Sequence, residues 1–455
     1  MKGSSDLIEA EVLVVGGGTA GAVAAIAAAR SGADTLLIER YGFLGGGATH
    51  GLPLHGVVSW TGDPMATELT MEIVRRLQEV EGTTGLSVEG SWGESAPSDA
   101  RFSTLPYDPE LLNLALFRLC RESGVRMLLH SFASDALMDG ASVSGVHYWS
   151  KSGYRDVRAR VVVDATGNAH VAKRAGGEVT TYGEGRRPVV SLGCRLGRAD
   201  LDEFWEDVQA GRLPWDVDLR HARVARGRKL REQESSLVVF EIPVVTAAGD
   251  GGSVLLGHSA RRGEIRFTLS STVGADPTDT AELSEAEVTE RERVWQAWMM
   301  LLETVPSLAK SYIASTAPQV SAWYGRSIKG RASVTLGEYM SGSSRVDGVV
   351  PVSWPLGQGG LGTNPPLRFP KTGYAIPYGA LLPTGIEGLL VAGQALSAET
   401  SVLPGVSTPA ACMGMGDVAG RAAAAAVRLG RLPSALDPVE LANISARQNG
   451  EVTVR

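Results

Sequence analysis

Cysteine is scarce in these 455 residues. Cys120, Cys194 and Cys412 are too few and too scattered for a disulfide framework, and no pair has metal-ligand spacing. Long basic blocks are missing as well. The 43 Lys and Arg stand against 50 Asp and Glu, a formal charge of −7. That balance argues against nucleic-acid binding by bulk electrostatics. The first residues carry acids where a secretory signal needs bases followed by an apolar run. With reduced cysteines, this points to a cytoplasmic protein. Nor does any stretch read as a membrane span. Val12 to Ala29 are 18 residues without a charge, but Gly16, Gly17, Gly18 and Gly21 divide them into a β-branched piece and an alanine-rich piece. There is no internal repeat and no low-complexity linker. With 44% apolar and 20% charged residues, the chain can bury a large core, in two or three units.

Glycine is the excess: 56 residues, about 12% of the chain against a usual ~7%. The clusters carry the chemistry. Glu11 to Val15 read as a short buried parallel strand. Gly16, Gly17, Gly18, Thr19, Ala20 and Gly21 follow at once, then a strong helix former from Ala22 to Arg30, then a second strand from Thr35 to Ile38 ending at Glu39. This is GxGxxG in a βαβ setting, with an acid 18 residues after the last glycine. Gly16 permits the tight turn, Gly18 lets backbone approach a pyrophosphate, and Gly21 lets helix and strand pack closely. The helix N-terminus supplies amide donors, and Glu39 can accept from a ribose diol. Arg40 and a second glycine cluster, Gly45 to Gly47, come directly after the acid. A flavin needs a second backbone loop beside its ribityl chain and ring, so the pattern favours FAD over a nicotinamide cofactor.

Further along, Pro109 opens a helix over Glu110 to Ser123, and Val125 to His130 read as a strand. Ala141–Trp149 and Val157–Val161 read as a hairpin, and Val161 to Asp164 as a separate buried strand running into Ala165, Thr166 and Gly167. Residues 195–345 differ in character, with alternating strands, a basic stretch from His221 to Arg231 and a helix from about Ser284 to Thr304. Trp295 and Trp298 on that helix have core spacing. Near the end, Gly388 to Gly393 is a strand running into glycine. Thr408 caps and Pro409 opens a last helix, whose first amides point to an anion-binding end.

In order along the chain, Gly16–Gly21, Glu39–Thr49, Asp108–Glu110, Asp164–Gly167, Asp276–Asp279, Thr316–Gly330, Tyr374–Tyr378, Leu389–Gly393 and Cys412–Gly416 resemble the FAD-dependent oxidoreductase family, a group of two-dinucleotide-binding-motif flavoproteins. The resemblance implies an α/β fold: a Rossmann-like, glutathione-reductase-like FAD domain from residues 1–180 and 375–455, with a mixed β-sheet and helical substrate domain inserted at 181–374. It implies that Gly16, Gly18 and Gly21 hold the pyrophosphate and Glu39 the adenosine ribose. Gly45, Gly46, Gly47, Ala48 and Thr49 flank the flavin. Ala133 meets adenine, and Ala165, Thr166 and Gly167 line the adenosine end. Gly393, Gln394, Thr408, Ala410 and Ala411 meet the ribityl chain and pyrimidine. The chain also departs from the family pattern. Gly379 and Gln394 stand where many relatives carry Arg, Gly357–Gly360 replace an Asp-X-His element, and of a recurrent Arg-containing element only Arg326 survives in Trp323–Arg326. These changes predict a remodelled, more apolar substrate pocket.

The candidate reactive residues follow from this placement. His50 directly follows the second glycine loop and is the first candidate base; it is also a candidate covalent flavin tether. Arg326 and Tyr378 are candidate anchors for a substrate anion or oxygen. His55, Trp323, Trp354 and Lys371 are candidate substrate contacts. Cys412 reads as packing. The expected function is an FAD-dependent dehydrogenase or oxidase. It takes a hydride from a C–H beside N or O, or desaturates a C–C bond, in a small and partly apolar molecule. A flavin monooxygenase is the alternative, although the Gly-Asp of aromatic hydroxylases is absent at Gly393–Gln394. A non-catalytic flavin protein is a second alternative. No nucleic-acid or membrane partner is expected, and a homodimer is a possible assembly.

Overall fold

A computed structural model describes residues 7–50, 54–83, 85–90, 96–181, 188–213, 223–226, 236–245, 251–322, 324–357, 367–439 and 441. The run Val12 to Val15 is apolar at every position because both faces of its strand are covered. Ile8–Val15 lies inside a seven-stranded sheet. Thr35–Ile38 and then Arg126–Leu128 run parallel on one side of it. On the other side lies Gly153–Asp164, also parallel. This strand is 12 residues long and serves two further partners. Its first half pairs antiparallel with Ser142–Ser150, and its last residues pair parallel with Leu389–Val391. The separate strands expected on either side of Val161 are therefore one. The apolar run 161–163 continues the hairpin strand into the core without a break.

The helix Thr19–Arg30 covers this sheet and packs along Pro409–Leu429, a helix from the far end of the chain. Glycine makes that contact close. A Cβ at Gly416 falls 2.2 Å from the Ala20 carbonyl oxygen, and one at Gly420 falls 2.2 Å from that of Ala24. Both ends of the chain thus build one lobe.

A second, nine-stranded sheet holds Tyr312–Thr316, Val189–Gly197, Glu264–Gly274, Gly251–His258, Ser236–Val245 and Arg223–Arg226 in that order. Its described pairings are antiparallel. The helix Thr280–Thr304 packs Val294, Ala297 and Leu301 with Leu192, Phe267 and Leu269. It starts before the expected Ser284 because Asp279 caps it, accepting from the Glu282 amide at 2.9 Å. Trp298 joins this core, but Trp295 is half exposed and packs edge-on against Trp298, so its spacing did not make it a core residue.

Sheet membership cuts across the expected intervals. Ser87–Gly90 and Phe102–Thr104, inside 1–180, extend the second sheet. Val334, Tyr339 and Val350, inside 181–374, pack in the core of the first lobe. Of the basic stretch from His221 to Arg231, only the strand Arg223–Arg226 lies within the described residues. No described helix is long and apolar enough to cross a membrane.

Candidate active site

A cleft of about 1070 Å³ runs between the ends of the parallel strands and the second sheet. That is slightly above the ~300–1,000 Å³ usual for small-molecule sites. Its floor is backbone. Gly16 has φ +100°, and a Cβ there would meet the Ala165 carbonyl oxygen at 2.5 Å. A Cβ at Gly21 would lie 1.7 Å from the Gly16 oxygen, so only glycine fits. Gly18 stands at the N-cap without a side-chain cap, and Thr19 and Ala20 line the cleft beside it. The two glycine loops touch: the Gly45 amide donates to the Gly17 carbonyl at 2.9 Å, and a Cβ on Gly46 would come 2.9 Å from Gly18 Cα.

Glu39 is 8% exposed. Its carboxylate accepts from the Gly17 amide at 2.5 Å and the Tyr41 amide at 2.8 Å. Burial holds its pKa above the usual carboxylate value, with those amides pulling the other way. Each oxygen keeps a lone pair for a ribose hydroxyl. Arg40 lies over the Tyr41 ring, 4.7 Å from its centroid. Ser131, Phe132 and Ala133 line the same end.

Asp164 closes the opposite turn. It accepts from Thr166 N at 3.1 Å, Thr166 Oγ1 at 2.6 Å and Ala172 N at 3.0 Å. Gln394 Nε2 then donates to the Gly167 carbonyl at 3.0 Å, joining this turn to Gly393. An uncapped helix N-terminus, two glycine loops in backbone contact and a buried acid at the next strand end together form a cradle that fits a dinucleotide.

The sequence profile described as FAD dependent oxidoreductase matches residues 11–445. The chain belongs to this family. FAD is accordingly its cofactor, and it is an oxidoreductase. The flavoenzyme is 32% identical over 240 residues to digeranylgeranylglycerophospholipid reductase 2 of Methanopyrus kandleri, covering 50% of this chain and 56% of that protein. It is 31% identical over 174 residues to reductase 1 of the same organism, covering 37% and 43%. The match spans about half the length of these relatives. Among solved structures it is similar to a geranylgeranyl bacteriochlorophyll reductase-like protein of Thermoplasma acidophilum, with 15% identity, TM-score 0.48, and 97% and 83% of the two chains covered. It is also similar to the flavin-dependent brominase Bmp2, with 14% identity, TM-score 0.49, and 97% and 84% covered.

The flavoenzyme's second glycine turn, Gly46–His50, places Gly46, Gly47 and Ala48 on the cleft. Gly45 and Thr49 do not line it. Thr49 faces a smaller cavity of about 210 Å³ on the other side. The fully buried Tyr107 hydroxyl donates to the Ala48 carbonyl. The side chain of His50 lies outside the described residues, as does Trp323. His55 lines the cleft, its ring 4.9 Å from that of Trp354 at 38°. Trp354 is fixed at both backbone atoms: its amide donates to the Tyr339 hydroxyl at 2.9 Å, and its carbonyl accepts from the same hydroxyl.

Four further expected site residues, Ala410, Ala411, Tyr378 and Lys371, lie off the cleft. The amides of Ala410 and Ala411 are engaged inside the protein. Ala410 donates to the His55 carbonyl at 3.2 Å and Ala411 to Thr408 Oγ1 at 3.3 Å. Neither residue lines the cleft; Thr408, Pro409 and Cys412 do. Tyr378 is buried away from the cleft because its hydroxyl donates to the Pro433 carbonyl at 3.0 Å. Lys371 is exposed, in a turn whose backbone donates to the Met340 carbonyl, and also lies off the cleft.

Burial pushes the Cys412 thiol up to about 12. It donates to the Ser407 carbonyl at 3.5 Å, which fits packing. The wall made by Pro277, Thr278, Thr280, Leu283, Ser284 and Glu287 with Gln319 to Ala322 was not among the expected site residues. The Asp276–Asp279 motif was the available signal for that wall.

Proposed function

We propose that the flavoenzyme is a dehydrogenase or oxidase acting on a small, partly apolar organic molecule held against His55 and Trp354. It would oxidise a C–H beside N or O, or desaturate a C–C bond. The observation that carries this reading is the His55–Trp354 pair beside the Ala48 turn and Thr408: an imidazole next to a rigid apolar wall, in the cleft that takes the cofactor. Bound FAD supplies a two-electron acceptor. His55 takes the substrate proton, and Trp354 excludes water and orients the apolar part. The two-loop cradle closed by Leu389–Val391 supports a glutathione-reductase-like first lobe.

The half-length likeness to digeranylgeranylglycerophospholipid reductases favours a second reading. In it the C–C branch runs in the reducing direction, on a double bond of an apolar chain.

The test is anaerobic screening of amines, alcohols and saturated acyl compounds for bleaching of the flavin band. The parallel arm offers alkenes to the pre-reduced enzyme and looks for recovery of that band. Oxygenated product formed only with O₂ would replace both readings with a monooxygenase. His55→Gln should slow bleaching by about 10²- to 10⁴-fold with unchanged FAD content. Equal rates would remove His55 from the chemistry.

A further inference from the structure

Arg326, expected to anchor substrate, sits between two turns of the nucleotide cradle. It opens the short strand Arg326–Ile328 and lines the cleft. Two contacts fix that strand to the two turns of the FAD cradle. Ile328 donates its amide to the Ala395 carbonyl at 2.9 Å, directly after Gly393 and Gln394. On the other side, a Cβ on Gly325 would lie 2.2 Å from Asn168 Oδ1, at the end of the Asp164–Asn168 turn. The guanidinium is partly buried and makes no ion pair or side-chain hydrogen bond with any described residue. A cation held this way is open to an anion in the cleft.

The other cations of the cleft are placed elsewhere. Arg40 lies over Tyr41. Arg174 faces Asp135 at 3.5 Å, and Lys173 shares its short helix, which bonds through His170 to the Ser134 carbonyl. Both sit toward the strand that carries Ala133. The glycine-loop helix has only its dipole, about half a positive charge, to set against a diphosphate whose two phosphates are both ionised. Gln394 contributes a neutral amide, and that amide is already bonded to Gly167.

We propose that Arg326 binds the diphosphate of FAD and supplies the full positive charge that the helix end lacks. Its planar fork suits two phosphate oxygens. The inference depends on FAD as cofactor and is independent of the reaction proposed above.

The test is titration of full-length apoprotein with FAD and with riboflavin, read by flavin fluorescence, with inorganic pyrophosphate as competitor. R326Q should weaken FAD about 10- to 100-fold, the loss of a charged hydrogen-bond pair, and leave riboflavin affinity unchanged. Pyrophosphate should compete with FAD in the wild type and far less in R326Q. FAD affinity of R326Q within twofold of wild type overturns the proposal, and so does equal weakening of FAD and riboflavin. If R326Q does not fold, R326K decides. It should lose about 3- to 10-fold for FAD and nothing for riboflavin, and no selective loss overturns the proposal.

Discussion

Glu39 is placed to couple cofactor binding to pH. In the protein without FAD, burial raises its pKa above the ordinary value of 4.5. Between that value and the raised one, the folded state binds more protons than the unfolded chain, so stability falls as pH rises through this window. On the proposed role of Glu39, a ribose diol donates to the ionised carboxylate and FAD acts in the opposite sense. FAD affinity should therefore drop as pH falls through the raised pKa, and Glu39→Gln should flatten the dependence while weakening binding about 10-fold. Titrations between pH 4 and 8 test this; an unchanged slope in the variant would assign the dependence elsewhere. The demand for glycine at Gly16 and Gly21 was legible in the sequence because it is local. A tight turn and a close approach restrict the residue type at that position. The positions of Ala410 and Tyr378 were not, because the carbonyls that engage them, those of His55 and Pro433, are brought there only by the tertiary fold.

At the scale of elements, the cradle depends on the contact between Thr19–Arg30 and Pro409–Leu429. Gly416 and Gly420 lie one helical turn apart and face Ala20 and Ala24, so the two backbones approach without side chains between them. Gly420→Val would push a branched side chain against the Ala24 carbonyl. The cost should be about 1–3 kcal/mol or more, since neither backbone can yield locally. A melting temperature lowered by about 2–4 °C per kcal/mol and a reduced FAD content would show it. A variant that melts with the wild type would mean that the helices separate freely. The helices themselves were readable from composition and capping, but their partnership was not. Nothing in an alanine-rich segment states which other segment it meets. The same holds for Gly153–Asp164, whose two halves have partners of opposite direction and so read as two strands.

At the scale of the whole molecule, the FAD lobe is assembled from segments that the second sheet separates in sequence. Leu389–Val391 completes the parallel edge beside Val162–Asp164, and Gly393, Thr408 and Cys412 finish the cleft. The sequence motifs placed both ends in one lobe. They did not reveal that Ser87–Gly90 and Phe102–Thr104 join the second sheet, because short strands with little apolar alternation carry no mark of their partner. This division predicts the behaviour of a chain ended after residue 374. The edge at Val162–Asp164 would lie open, the Ala20–Ala24 face would lose its cover, and one wall of the cleft would be gone. Such a chain should purify colourless, bind hydrophobic dye and fail to take up added FAD. In the intact apoprotein, FAD at 100 times its Kd should add about 2.7 kcal/mol of stability, and the shortened chain should show no thermal shift. A yellow, cooperatively melting fragment would mean that the chain up to residue 374 closes the cofactor site without the C-terminal segment. The packing of Pro409–Leu429 on Thr19–Arg30 would then be dispensable for FAD binding.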